Sequence, residues 1–339
     1  DPYVSDLDKK TFTDGWFVPT MPDLNQRNPF MATYLIQNSI WWVEYLGLAG
    51  IRMDTYPYPD MDFMTDWTRA MMMEYPNLNI VGEEWFEAPT IVSYWQKGKY
   101  NPNGYTSDLK SVMDFPIQMA FVRALKSEES WRTGWNSFYE MLAHDYLYPD
   151  PMNLVVFPDN HDMARIFAQL DGDYDMFKQA MGFFLTIRGI PQLYYGTEIL
   201  VKGPANGDHG LVRSDFPGGW KGDKVNGFTG EGLTDLQKEA KNYVAHLLKW
   251  RQSATAIHNG KLKHFIPQNG VYTYFRYNEE QKIMVVFNKN TEATKVELKR
   301  FSEMFEGETE GVDILTSKTH AMKDAITVAP KSVTILELK

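Results

Sequence analysis

The chain has 339 residues, 43% of them apolar, no cysteine, and a formal net charge of −10 at neutral pH. This composition supports a packed core and excludes disulfides, thiolate metal sites and cysteine nucleophiles. It also speaks against a nucleic-acid partner, because phosphate binding needs clustered Lys and Arg. No run reaches the roughly 18 apolar residues of a membrane helix, so no membrane partner is expected. The lack of cysteine does not choose between a bacterial periplasm and a cytoplasm, and the compartment stays open. The first residues, Asp1 to Asp6, carry neither a starting Met nor a signal-peptide pattern, so the chain reads as a fragment or processed product. Aromatic residues reach 14%. They suit both a large core and flat platforms for the C–H faces of sugar rings.

In chain order, a helix is predicted over 31–47, with Met31, Tyr34, Leu35, Trp42 and Tyr45 at helical spacing and Gly47 as its stop. A short strand, 49–54, follows and ends in Asp54. A second helix at about 62–75 has Asp60 or Asp62 as candidate cap. Residues 78–83 repeat the motif of an apolar strand ending in a carboxylate, here Glu83. Weaker copies occur at 111–114, 154–157 and 190–195, the last preceded by a helix at 174–187. Five strands separated by helical sequence imply a parallel sheet covered by helices. Chemistry placed just past several strands points to a (β/α)8 TIM barrel with its site at the C-terminal face. The rival doubly wound sheet would want a Gly-rich phosphate loop, and none is present. After a helix at 234–252 the pattern turns to short β-rich runs at 271–277, 283–287, 296–298, 325–328 and 332–338. They imply an antiparallel β-sandwich, with the domains divided as 1–257 and 258–339.

The strand ends carry the candidate chemistry. Arg52 and Asp54 share a strand face, and a guanidinium beside a carboxylate keeps it ionised, as a nucleophile requires; a structural ion pair would leave the same pattern. Glu83 lies beside Trp85 and Phe86, whose poor solvation would raise the carboxyl pKa as a general acid requires. Glu84 points the other way and serves as its control. Asn160-His161-Asp162 follows the fourth strand and offers a donor next to an acceptor, or an Asx-type turn. Carboxylates on adjacent strands, about 4.8 Å apart, match the roughly 5–5.5 Å separation of a retaining glycosidase pair.

Several segments together resemble glycoside hydrolase family 13, the α-amylase family, and within it the neopullulanase and cyclomaltodextrinase group. They are Met21-Pro22-Asp23-Leu24-Asn25, Gly50-Ile51-Arg52-Met53-Asp54, Val81-Gly82-Glu83-Glu84-Trp85, Phe157-Pro158-Asp159-Asn160-His161-Asp162 and the run Gly189 to Glu198. The resemblance implies a retaining α-glucan hydrolase acting on pullulan, cyclodextrins or maltooligosaccharides. Asp54 would be nucleophile, Glu83 acid and base, and Asp162 the residue holding the hydroxyls of the sugar being cleaved. Arg52, Asn160, His161 and Arg165 would support that sugar, and Tyr56, Tyr58 and Trp85 would line the acceptor side or merely pack loops. The alternative is a truncated or non-catalytic family scaffold that binds sugar without turnover.

Two departures from the family are visible. Thr55-Tyr56-Pro57-Tyr58 stands where many members carry Lys-His or Asn-Glu. The family's first motif, on the third barrel strand, is absent, so the five strands correspond to strands four to eight. The expectation is that strands one to three precede residue 1 and are lost, lie on another polypeptide, or are supplied by a second copy. A homodimer, or association with an N-terminal half, follows as the expected partnership. No organic cofactor is called for, and no metal; family calcium sites use the missing region.

Overall fold

The computed structural model describes residues 3–204 and 208–339; Asp1 and Pro2, at the chain start considered above, lie outside them. The chain forms two compact units, residues 1–116 with 144–155, and residues 117–143 with 156–339.

In the first unit three parallel strands, β1 (Gly50–Met53), β2 (Asn79–Gly82) and β3 (Ser111–Val112), pair in chain order. A parallel bridge from Met113 to Val155 extends the series to the start of β4 (Val155–Val156). Neighbours that follow chain order without reversal are what a barrel segment requires, whereas a doubly wound sheet reverses its order. Helix Pro29–Leu46 starts where Asn28 accepts the N–H groups of Phe30 and Met31, and stops at Gly47, whose φ of 62° is left-handed. Helix Met61–Glu74 is capped by Asp60, which accepts the Phe63 N–H at 3.0 Å. Of the two predicted caps, Asp60 is therefore the one used.

The core of this unit gathers Trp67, Met71, Ile80, Val112 and Leu154 around Tyr56 and Trp95. Gly82 closes β2 against this core, where an added Cβ would meet Leu109 at 2.8 Å and the Tyr56 ring at 2.9 Å. The outer side is different in kind. β1 ends its sheet, and helix Pro29–Leu46 buries only Val43 of its 18 residues. Trp41 and Tyr45 of that helix stack at 4.8 Å in solvent.

In the second unit, Val156 accepts the N–H of Gln192, just past β5 (Ile190–Pro191). An antiparallel six-stranded sheet follows. It is built from β6 (Lys261–Gln268), β7 (Val271–Tyr277), β8 (Lys282–Asn288), β10 (Glu310–Asp313), β11 (Thr319–Ala321) and β13 (Ser332–Leu338), ordered β11-β10-β13-β8-β7-β6. β9 (Thr294–Glu297) pairs with β12 (Ala325–Val328) as a second, two-stranded sheet. The period of two divides the side chains between two cores. Phe275, Met284, Val286 and Leu336 face Val296, Ile326 and Val328. Tyr272, Tyr274, Val285, Phe287 and Ile335 face Phe121, Trp135, Phe138 and Phe183 of helical segments.

Strand β6 was not predicted. Its Lys261, Lys263 and Pro267, with a register irregularity between Phe265 and Gln268, are the devices that blunt a sheet edge, and they erase the alternation that marks a strand. Replacing Gly82→Ala is expected to lower stability by about 1–3 kcal/mol through overpacking. Urea unfolding followed by tryptophan fluorescence measures this, and an unchanged midpoint would show that Tyr56 and Leu109 can retreat.

Candidate active site

The predicted residues fall into two groups, each inside one unit. The first is built on β1 and β2. Their parallel register sets Met53 opposite Gly82, so the residues that follow, Asp54 and Glu83, leave neighbouring strands at the same level. Arg52 binds both. Its Nη1 donates to Asp54 Oδ2 and its Nη2 to Glu83 Oε1, each at 2.7 Å. The carboxylates differ in access: the Asp54 side chain is 58% exposed and that of Glu83 only 7%.

The turn after β1 completes the enclosure of Glu83. Thr55 has φ 46°, a strained conformation for a β-branched residue. There its N–H donates to Glu83 Oε2 at 3.1 Å, while the Tyr56 N–H donates to the Glu83 carbonyl at 3.1 Å. Glu83 is thus covered by Arg52 and the Thr55 turn. The poor solvation expected from Trp85 and Phe86 does not come from them, because both are exposed. Trp85 stacks on Phe115 at 4.6 Å, which braces an open indole face. Tyr58 is half-buried between Phe12 and Phe17. Burial and the charges of Glu84 and Glu83 raise its phenol pKa.

Tyr56 corrects an expectation. It is 1% exposed, its ring lies against Gly82 and Trp95, and its hydroxyl meets Ser107 at 3.2 Å. A side chain sunk this far is part of the core and has no face for a sugar. Glu84, the control residue, is buried as well and accepts the Trp95 Nε1–H at 2.7 Å. Burial pushes its carboxyl up to about 7, against the lowering effect of the Trp95 bond and with a further rise from the Glu83 charge.

The second group surrounds Asp162. Asn160 is buried, and its Oδ1 accepts the Asp162 N–H at 2.8 Å, so it shapes the loop from inside. His161 Nε2 lies 3.0 Å from Asp162 Oδ2, with about a third of its side chain exposed. Two residues missed in the sequence complete the group. Arg213 Nη2 donates to Asp162 Oδ1, Arg213 Nε donates to the His161 carbonyl at 2.9 Å, and His209 Nδ1 sits 2.9 Å from Arg213 Nη2. They lie far along the chain, on and beside the short helix His209–Val212, where neither periodicity nor a strand end marks them.

Arg165 is the second correction. It is 1% exposed and binds Asp159, the Tyr195 carbonyl and Thr197 Oγ1, which leaves its guanidinium inside the protein. Asp159 is its fully buried counter-charge. Burial raises the carboxyl pKa, and Arg165 is the main opposing influence. Among the described residues, no group of three or more His, Asp or Glu side chains gathers to hold a metal ion.

The model of the α-amylase catalytic domain matches residues 6–294, and that of the cyclo-malto-dextrinase C-terminal domain matches 262–337. The chain belongs to the α-amylase family. A maltogenic α-amylase of Bacillus acidopullulyticus is 26% identical over 294 residues, covering 83% of this chain and 44% of that protein. Neopullulanase 2 of Thermoactinomyces vulgaris is 27% identical over 283 residues, covering 82% and 43%. The chain therefore spans less than half the length of these relatives. A solved Anoxybacillus α-amylase superimposes with a TM-score of 0.79 at 22% identity, covering 99% of this chain and 68% of that one. A cyclomaltodextrinase structure gives 0.73 at 22%, covering 97% and 52%. These two likenesses carry the fold: an α-amylase-family architecture with a C-terminal antiparallel sheet domain. The two carboxylate groups described above both lie inside the α-amylase catalytic-domain match.

Glu84 gives a pH test. Its pKa rises from 4.5 to about 7, so between these values the native state holds a proton that the unfolded chain has released. Stability from this group is therefore full below about pH 4.5, falls as pH rises, and levels off above about 7, a change of about 3 kcal/mol at most. Glu84→Gln removes the dependence. The stability of the wild type relative to this variant should fall between pH 4.5 and 7 and then stay constant. Thermal melts across that range check it, and parallel profiles would refute it.

Proposed function

We propose that this chain carries the cleaving carboxylates of a retaining α-glucan hydrolase of the cyclomaltodextrinase and neopullulanase kind. The observation behind this reading is the pair Asp54 and Glu83, on neighbouring parallel strands and joined by one guanidinium, with one carboxylate open and one enclosed. The open carboxylate can reach an anomeric carbon. The enclosed one is fixed beside it by Arg52 and the Thr55 N–H, placed to exchange a proton with a leaving oxygen.

In the proposed reaction Asp54 attacks the anomeric carbon as the glycosidic C–O bond breaks, and Glu83 gives its proton to the leaving oxygen. Water then attacks the glycosyl ester, Glu83 takes the proton back, and Asp54 is released with the anomeric configuration retained. Arg52 holds Asp54 ionised and steadies both groups. Asp162 accepts from hydroxyls of the sugar being cleaved, with His161 beside it and Asn160 fixing its loop. Trp85 and Tyr58 offer aromatic surface on the acceptor side. Acid, base and nucleophile all come from carboxylates, so no cofactor enters the proposal.

We read residues 1–257 as barrel strands four to eight with their helices, and residues 258–339 as the C-terminal sandwich domain. Support comes from strands that pair in chain order and from β1, which stands open at the sheet edge beside an aromatic helix face. Substrates are proposed as pullulan, cyclodextrins or maltooligosaccharides. The open edge is proposed to pair with an N-terminal half or a second copy.

Hydrolysis of a nitrophenyl maltotrioside by the 339-residue chain tests the reading, beside Glu83→Gln and Asp54→Asn. Each variant should lose turnover by a factor on the order of 10³ or more. Turnover that survives Glu83→Gln removes the acid assignment. A folded, monodisperse chain without turnover would show that the chain is not an enzyme by itself.

A further inference from the structure

The Asp162 group contains a charge to which the proposed reaction gives no part. Arg213 lies just past the short helix His209–Val212, and nearly half of its side chain is exposed. Its guanidinium nonetheless faces the protein along one edge. Nε donates to the His161 carbonyl at 2.9 Å, and Nη2 donates to Asp162 Oδ1. Nη2 also lies 2.9 Å from His209 Nδ1, and since arginine only donates, the imidazole nitrogen accepts. One planar group thus grips a carboxylate, the backbone just before it and a side chain of its own helix. A lysine, a point charge on a flexible stem, cannot reproduce this fork.

Arg213 stands there because the segment around it is tied down. The Val212 carbonyl accepts from Arg165 Nη1 at 3.4 Å, and the Ser214 carbonyl accepts from the Tyr195 hydroxyl at 3.0 Å. Asp208 caps the helix by accepting the Leu211 N–H at 3.2 Å. Gly203 lets the chain pass close by: an added Cβ would meet Arg165 Cγ at 2.8 Å and Val212 Cγ2 at 3.3 Å. Arg165 is itself held by Asp159, in the loop that carries Asp162. The buried Arg165–Asp159 pair therefore fixes both sides of the contact, the loop with Asp162 and the segment with Arg213.

We propose that Arg213 is a positioning residue for Asp162: it sets the direction of the carboxylate so that its oxygens meet the hydroxyls of the sugar being cleaved. This rests on the reading of Asp162 as the group that accepts from those hydroxyls. Arg213 meets Oδ1, and His161 Nε2 lies 3.0 Å from Oδ2. A carboxylate offers about four acceptor positions, so such contacts orient it without using it up. The Nε–Nη2 edge of Arg213 is engaged by the loop, so its effect on the sugar runs through Asp162. Misplacing a group of this kind by about 1 Å costs on the order of a hundredfold in rate.

The test compares kcat/KM for a nitrophenyl maltotrioside in the full chain, Arg213→Ala, Asp162→Ala and the double variant. Arg213→Ala should lose about tenfold to a hundredfold, the worth of a hydrogen bond to a charged group. The double variant should lose no more than Asp162→Ala alone, because no carboxylate is left to place. Guanidinium ion at millimolar concentration should restore part of the loss in Arg213→Ala and none in the double variant, a response that a purely structural role would not give. Additive losses, absent rescue, or wild-type kcat/KM in Arg213→Ala each overturn the proposal and leave the role of Asp162 standing. Turnover that survives Asp162→Ala sinks that role instead, and the proposal with it. Should Arg213→Ala not fold, Arg213→Lys takes its place in the cycle, with a smaller loss expected and the same non-additivity deciding. Should the folded chain show no turnover, crystal structures of wild type and variant decide: a displaced Asp162 carboxylate upholds the positioning role, and an unmoved one overturns it.

Discussion

Everything at the first carboxylate group depends on the register of β1 against β2. With Met53 opposite Gly82, the next residue on each strand is a carboxylate, and one guanidinium two residues back on β1 can fork to both. Slipping the register by one residue would move Asp54 away from Glu83 and turn the side chains of one strand to the other face. Gly82 protects that register, since the Tyr56 ring and Leu109 occupy the space that any side chain there would need. The strained Thr55 turn then brings two successive N–H groups onto Glu83. Packing, register and strain thus act together at one strand end, which is where stored strain serves function.

The Asp162 group solves a related problem by other means. The carboxylate is held by a neighbouring imidazole and by Arg213 from a distant loop, while Asn160 secures the backbone beneath it. Below lies a buried pair, Arg165 with Asp159, further tied by Thr197 and the Ile166 N–H. Such a pair costs desolvation and gives geometric definition in return, so the loop that follows the fourth strand is placed by charges no solvent screens. The motif Phe157 to Asp162 therefore contains one carboxylate for the protein's own structure and one facing outward, three residues apart.

Much of the organisation was legible in the residues alone. Helical spacing, with Gly47 after the first helix and Asp60 among the caps offered for the second, located two helices to within a few residues, because caps and periodicity are local chemistry. The apolar runs that end in Asp54 and Glu83 read as strands for the same reason. Strand β6 and the helix Trp135–Ala143 were not legible: the first is an edge with lysines and a proline, and the second is short and faces a sheet more than a hundred residues away.

Local sequence by itself determined which side chains could do acid–base chemistry and that they follow parallel strands, because residue type and a two- or 3.6-residue period suffice for that. Only the tertiary structure decided their environments. It opened Asp54 and enclosed Glu83, buried Tyr56 and Arg165 where a surface role was expected, and brought Arg213 to Asp162 across some fifty residues. It also set Glu84 against Trp95. Solvation and charge pairing depend on neighbours distant in the chain, which no pattern along the chain encodes.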